Sequence, residues 1–182
     1  METKQFDIHM DSIANSIPDL NYHLLKTQWN LWAHLPHDTD WSINSYKNIC
    51  KLTTVEETVA IYETIPEILV KNCMLFVMKA GIMPIWEDSH NRDGGCFSYK
   101  IPNKNVYEVW RDLTYVLVGD TISENKLFLN NVNGITISPK KNFCIVKIWM
   151  KGCEFQNPAL VTSDVKGIIS QGCLFKKHSP EY

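Results

Sequence analysis

The chain has 182 residues, 45% of them hydrophobic and 21% charged, a size that allows one domain with a sizeable core. A formal net charge of −2 excludes a generic, salt-driven grip on long nucleic acid. Residues 130–182 nevertheless carry seven lysines against three acids, a local surplus sized for a few phosphates.

Six widely spaced cysteines form no CxxC pair, and neither a signal-type apolar run nor a membrane-length stretch is present. Reduced thiols in the cytoplasm or nucleus are the expectation. In chain order, residues 1–21 read as a mobile arm of mixed polarity, followed by a single domain over 22–182. "TQWNLWAHL" alternates as a half-buried strand should. "HDTDWSI" is turn-like, and "INSYKNICKL" resumes the alternation. "TTVEETVAIYETI" predicts a helix: Thr53 or Thr54 can cap it, Glu56 and Glu57 suit its first turn, and Val55, Val59 and Tyr62 recur at helical spacing. The strands "MLFVMKAG" and "CFSYKI" flank the irregular loop "PIWEDSHNRDGG". "NKNVYEVWRDLTYVLVG" predicts a second helix, with Val106, Val109, Trp110, Leu113 and Leu117 on one stripe and Gly119 as its stop. "NGITISP" and "FCIVKIWMKG" read as a strand pair. After one brief helix, "GCLFKKHS" reads as the last strand. Short strands with two patterned helices in mixed order predict an α+β fold on a largely antiparallel sheet, whose loops are natural places for a binding site.

No GxSxG, HExxH, Walker A or GxGxxG pattern is present, so neither an enzyme nor a cofactor is expected. His34 and His37 beside Asp38 and Asp40 come nearest to a metal cluster, and a solvated loop is the better reading; no metal is predicted. Cys96 follows a glycine pair but has no histidine partner to activate it. The six tryptophans carry more information. Trp29, Trp32, Trp110 and Trp149 lie in periodic elements, where core packing is the default. Trp41 and Trp86 lie in polar loops, and a single such indole is more often a lid over the core than a ligand platform. Two of them, one followed at once by Glu87 and Asp88, fit a pocket for a flat, positively charged ligand.

The series "WNLW", a tryptophan before a strand ending "KLTTVEETVAIY", then "GIMPIWEDSHNRDGG", "VWRDL" and "VNGITISPKKNFCIVKIW" resembles the eukaryotic translation initiation factor 4E family, the messenger-RNA cap-binding proteins. The likeness runs from about Tyr22 to Trp149. Each motif is weak alone, but the set in this order is specific. The resemblance implies a curved antiparallel sheet with helices on its convex face and the cap slot on its concave face. It implies that Trp41 and Trp86 stack on the two faces of 7-methylguanine. Methylation at N7 spreads a positive charge over the purine, so stacking gains a cation–π contribution of up to ~2 kcal/mol when desolvated. Glu87 would accept from guanine N1–H and the exocyclic amine, a pairing adenine cannot offer. The backbone N–H of Trp86 would meet the guanine carbonyl, and Trp149 would close the slot near the methyl group.

Two regions depart from the family pattern. On the phosphate side, an arginine and a lysine are usual where this chain has Lys140 and Ile145, and Cys96 stands where a basic residue is expected. Strand alternation puts Lys147 on the same face as Ile145 and Trp149, about 7 Å along from Ile145. Lys147 with Lys140 and Lys141 is the expected phosphate set, ordinary solvated lysines being the alternative. On the convex face, Val59 stands where the family has a tryptophan that receives a helix with a Tyr-x-x-x-x-Leu-apolar motif, from the scaffold 4G or from repressors. Leu24 replaces a proline, and Arg111 and Tyr115 replace leucines; His23, Val55 and Asp112 keep the expected character. Weak binding to ordinary scaffold peptides follows, with a dedicated partner as the corollary.

The resemblance thus implies a monomeric, non-enzymatic protein that binds the mRNA cap in translation initiation, with no DNA or membrane partner. Lys176, Lys177 and His178 could approach the nucleotides after the cap. An adaptor or decoy that keeps the fold, binds cap weakly and acts through a protein partner is the alternative. A hydrolase of capped ends is disfavoured, because no metal–carboxylate cluster or activated nucleophile is visible.

Overall fold

The computed structural model describes residues 22–180, and the arm expected over residues 1–21 lies outside them. Among the described residues seven strands form one sheet: β1 (Leu24–His34), β2 (Tyr46–Thr54), β3 (Met74–Lys79), β4 (Gly95–Pro102), β5 (Val132–Pro139), β6 (Phe143–Met150) and β7 (Leu174–Lys177). Their order is β2-β1-β3-β5-β6-β4-β7, and every neighbouring pair is antiparallel. Register shifts in β1 against β2 and in β5 beside Gly134 are bulges of the kind that bend and twist a strand. They help curve the sheet, which together with its helices makes the α+β fold expected.

Alternation divides each strand between two faces. On β6, Cys144, Val146, Ile148 and Met150 enter the main core, while Lys147 and Trp149 point the opposite way. The main core lies under the helices α1 (Val55–Thr64), α2 (Glu67–Asn72), α3 (Val106–Val118) and α4 (Lys126–Asn131). Trp29, Leu31, Phe97, Trp110, Leu113 and Ile135 are fully enclosed there. The other face carries a smaller cluster of Phe76, Met78, Ile82 and Trp149, with Trp32, Tyr46, Met74 and Trp86 packed against it. That second cluster positions the site.

Helix α3 follows its predicted stripe, since Val106, Val109, Trp110, Leu113 and Leu117 are all buried and Gly119 is the C-cap residue. Helix α1 does not. Its start is as expected, with Thr54 accepting from the Glu57 N–H and the Glu57 carboxylate accepting from the Thr54 N–H, a capping box that satisfies two backbone donors. Its buried face is Thr58 and Tyr62, whereas Val55 and Val59 turn to solvent. The buried hydroxyls are both satisfied: Thr58 Oγ1 donates to the Thr54 carbonyl, and the Tyr62 hydroxyl meets Thr114 Oγ1 of α3 at 2.7 Å. The six-residue helices α2 and α4 were not expected. Each is too short for an amphipathic period to show.

Candidate functional site

The loop between β1 and β2 is built by two aspartates. The Asp38 carboxylate accepts from the Asp40 N–H, and the Asp40 carboxylate accepts from both the N–H and the hydroxyl of Ser42. These are Asx-turns, and His37 takes the left-handed conformation just before them, with φ of 68°. The bonds from Ser42 hold the Asp40 carboxyl below its usual range. Trp41 lies between Asp40 and its partner Ser42 in this bonded turn and is 57% exposed. The carboxylates of Asp38 and Asp40 are engaged with backbone, and no trio of metal-binding side chains converges among the described residues.

The loop between β3 and β4 is held just as locally. Asp88 accepts from the backbone N–H groups of Met83 and His90 and pairs with the His90 ring. Burial alone would raise its carboxyl, but those bonds keep it below the ordinary value. Asn91, fully buried, donates to the carbonyls of Met83 and Ile85. Asn133 of β5 in turn donates to the carbonyl of His90 and the side-chain oxygen of Asn91. The loop is therefore fastened to the sheet by two asparagines. It presents Trp86 half-buried and Glu87 exposed at its tip.

Between these two loops lies a cleft of about 560 Å³, lined among others by Trp41, Trp86, Glu87, Lys147 and Trp149. Trp149 forms part of the floor, its indole N–H donating to Thr136 Oγ1 at 2.7 Å. Lys147, two residues back on the same face of β6, brings its Nζ to 5.9 Å from the Trp86 ring centre. Tyr46 and Phe76 meet edge to face and both line the same cleft. Burial, and then the nearby Glu87 charge, push the Tyr46 hydroxyl up. Two indole faces, one rim carboxylate and one ammonium can hold a flat cationic ring with an anionic tail.

Lys140 and Lys141 are exposed in the turn between β5 and β6 and do not line this cleft. Lys140 borders a separate depression that shares Trp41 and is lined also by His34, His37 and Asp38. Cys96 is buried on β4, in register with Trp149 on one side and Lys176 on the other. Burial pushes its thiol up, with Lys147, the Ser98 hydroxyl and then Lys176 partly offsetting the rise, so it carries less thiolate than a free cysteine.

Asn91 and Asn133 went unread in the sequence, and His178, expected to approach the nucleotides after the cap, is instead buried against Trp86 and Trp149. His178 is enclosed behind the loop, with its ring 5.5 Å from Trp86 and nearly parallel, and 4.8 Å from Trp149. Its Nδ1 donates to the Asn91 carbonyl, while Nε2 is buried without a partner. Burial lowers its pKa, Lys147 adds to that, and the Asn91 carbonyl and Glu87 oppose it. His34 stacks on Trp41 at 4.1 Å and 5°. Position 34 shares the alternation of Trp32, so its face on β1 could have been read; nothing in the sequence marks Asn91 or Asn133.

On the convex side, His23 Nδ1 lies 2.6 Å from the Glu56 carboxylate, and the His23 carbonyl accepts from the Val55 N–H. Leu24, Val55 and Val59 are exposed, and Tyr115 packs edge-on against Tyr62. Arg111 grips Asp112 through Nε and a terminal nitrogen at 2.9 and 2.8 Å.

The eukaryotic initiation factor 4E family model matches residues 24–178. Eukaryotic translation initiation factor 4E of Candida albicans is 27% identical over 179 residues, covering 92% of this chain and 84% of the relative. The Saccharomyces cerevisiae factor of the same name is 30% identical over 145 residues, covering 76% of this chain and 66% of its own. Among solved structures, Caenorhabditis elegans eIF4E-3 in complex with the 4E-binding protein Mextli and a cap analog superposes with a TM-score of 0.65 at 22% identity, over 72% of this chain and 76% of that one. The match spans every strand of the sheet together with both loops that form the cleft, and the chain belongs to the eukaryotic initiation factor 4E family.

Proposed function

We propose that this protein binds the 7-methylguanosine cap of mRNA in the cleft between Trp41 and Trp86 and acts in translation initiation as a binding protein rather than an enzyme, in the cytoplasm or nucleus. The observation that carries the reading is the convergence of Trp41, Trp86, Glu87, Lys147 and Trp149, from three separate stretches of sequence, on one cleft. Trp41 and Trp86 supply the stacking faces for a base made cationic by methylation. Glu87 accepts from N1–H and the exocyclic amine, which selects guanine. Trp149 borders the methyl group. Lys147 meets the phosphates first, with Lys140 and Lys141 reaching in from the hairpin turn.

The convex face is the proposed partner surface, since a structural neighbour binds the 4E-binding protein Mextli. With Val59 in place of an indole and Arg111 holding Asp112, an ordinary scaffold helix finds a shallower and more polar groove, and a dedicated partner fits better.

Tryptophan fluorescence tests the cap reading directly. Titration with 7-methyl-GTP is expected to quench strongly and GTP weakly, and Trp41→Ala or Trp86→Ala each to remove most of the response. Equal quenching by both nucleotides, or none by either, would replace this reading with that of an adaptor acting through its protein partner.

A further inference from the structure

Trp41 has two faces, and the cleft uses one of them. His34 covers the other: the rings lie 4.1 Å apart and 5° from parallel, His34 is 3% exposed, and it borders the depression beyond Trp41 but not the cleft itself. The edge of Tyr46 meets the same imidazole at 5.3 Å, so the ring is held between two aromatic walls of the site. His34 Nε2 lies 2.8 Å from the Asp40 carbonyl. A carbonyl only accepts, so the neutral ring carries its proton on Nε2 and keeps Nδ1 as the atom that takes up a second one.

From this stack, and resting on the cap reading above, we infer that His34 is a positioning residue whose protonation weakens capture of the methylated base. Neutral imidazole holds the indole flat and leaves its electron-rich face free for a cationic purine. Imidazolium occupies the indole's other face as a competing cation. It also sets a positive charge about 8 Å from the base, adding an ordinary contact distance to the measured stack. The charged or titratable groups around His34 are Asp38, His37 and Lys140, which line the same depression, and Asp40, whose carbonyl meets its Nε2. Lys47 lies near Asp40, and Tyr46 stays neutral on the β2 side. Protonation at Nδ1 leaves the bond to Asp40 intact, so the effect falls on binding rather than on the loop. By linkage, a ligand that prefers the neutral ring moves its titration to lower pH.

The test compares wild type with His34→Phe, which keeps a flat ring against Trp41 and removes the charge. Affinity for 7-methyl-GTP is measured from pH 8 to pH 6, the range over which imidazoles ordinarily charge. Loss of the N1 proton from the ligand and titration of His178 are common to both proteins, so the ratio of affinities isolates His34. The expected result is a ratio that changes by roughly tenfold across this range, with wild type relatively weaker at pH 6. A ratio flat with pH overturns the inference while leaving cap binding intact; no binding by either protein overturns the functional reading and the inference with it. Should His34→Phe fail to fold, the imidazole resonances of the wild-type protein decide: the His34 midpoint must fall when 7-methyl-GTP is added, and an unchanged midpoint overturns the inference.

Discussion

Lys147 illustrates how much one side chain can decide here. Among the described residues it is the only lysine that lines the cleft, and its charge lies near three polarisable or titratable groups, Trp86, Cys96 and His178. It stands two positions along β6 from Ile145, where the family resemblance leads one to expect a basic residue, and it shares that face of the strand. Two roles are open to an ammonium in this place. It can hold the phosphates of the ligand, or it can steady the Trp86 indole from 5.9 Å. Charge reversal separates them. Lys147→Glu is expected to weaken 7-methyl-GTP by at least tenfold, about 1.4 kcal/mol or more, while 7-methylguanosine, which has no phosphate, changes by less than threefold. Calorimetric titration with both ligands checks this; equal losses would assign Lys147 to the indole and leave the phosphates to Lys140 and Lys141.

Elements differ in how far their own residues determine them. Helix α3 was legible because thirteen residues give the apolar period room to repeat, and packing then follows pattern. Helix α1 was legible at its start and not on its faces. Of the expected stripe Val55, Val59 and Tyr62 only Tyr62 is buried, tied to α3 by its hydroxyl bond to Thr114, a long-range partner that helical spacing does not reveal. The same contrast holds for the site. Trp41 and Trp86 could be singled out because an indole is out of place in a polar loop, and Glu87 because it follows one, whereas the contacts of Asn91, Asn133 and the buried His178 join residues 42 to 87 apart in the chain, which no local pattern encodes. The cap of α1 offers a test of the legible part. Thr54→Ala removes one half of the capping box and is expected to lower stability by about 1 kcal/mol, read as a shift in the urea midpoint without a change in slope. Because α1 lies on the far side of the sheet from the cleft, ligand affinity should stay within twofold; a larger drop would mean that the helix start supports the β1–β2 loop through β2.

At the scale of the molecule, the sheet separates two surfaces of different chemistry. Its concave side gathers aromatic groups, one carboxylate and one lysine in one cleft, while its convex side presents Val59 and the ion pair Arg111–Asp112. The helices are packed through the main core and the cleft through the smaller cluster, and strands whose residues alternate between the two connect them directly. Dense, well-ordered strands of this kind transmit little unless they have a second arrangement to adopt. The two surfaces should therefore be separable by mutation. Val59→Trp places a large aromatic at a partly exposed position one turn of α1 from Val55, and an indole of that sort is a common anchor at interfaces. It is expected to raise affinity for a helical Tyr-x-x-x-x-Leu peptide by at least tenfold, with 7-methyl-GTP affinity unchanged. Fluorescence anisotropy of the labelled peptide, with and without saturating 7-methyl-GTP, reads both quantities in one experiment. A gain in peptide binding that depends on the nucleotide would show the two faces to be coupled through the sheet, and no gain at all would make the Arg111–Asp112 clamp, rather than the missing indole, the feature that turns ordinary partners away.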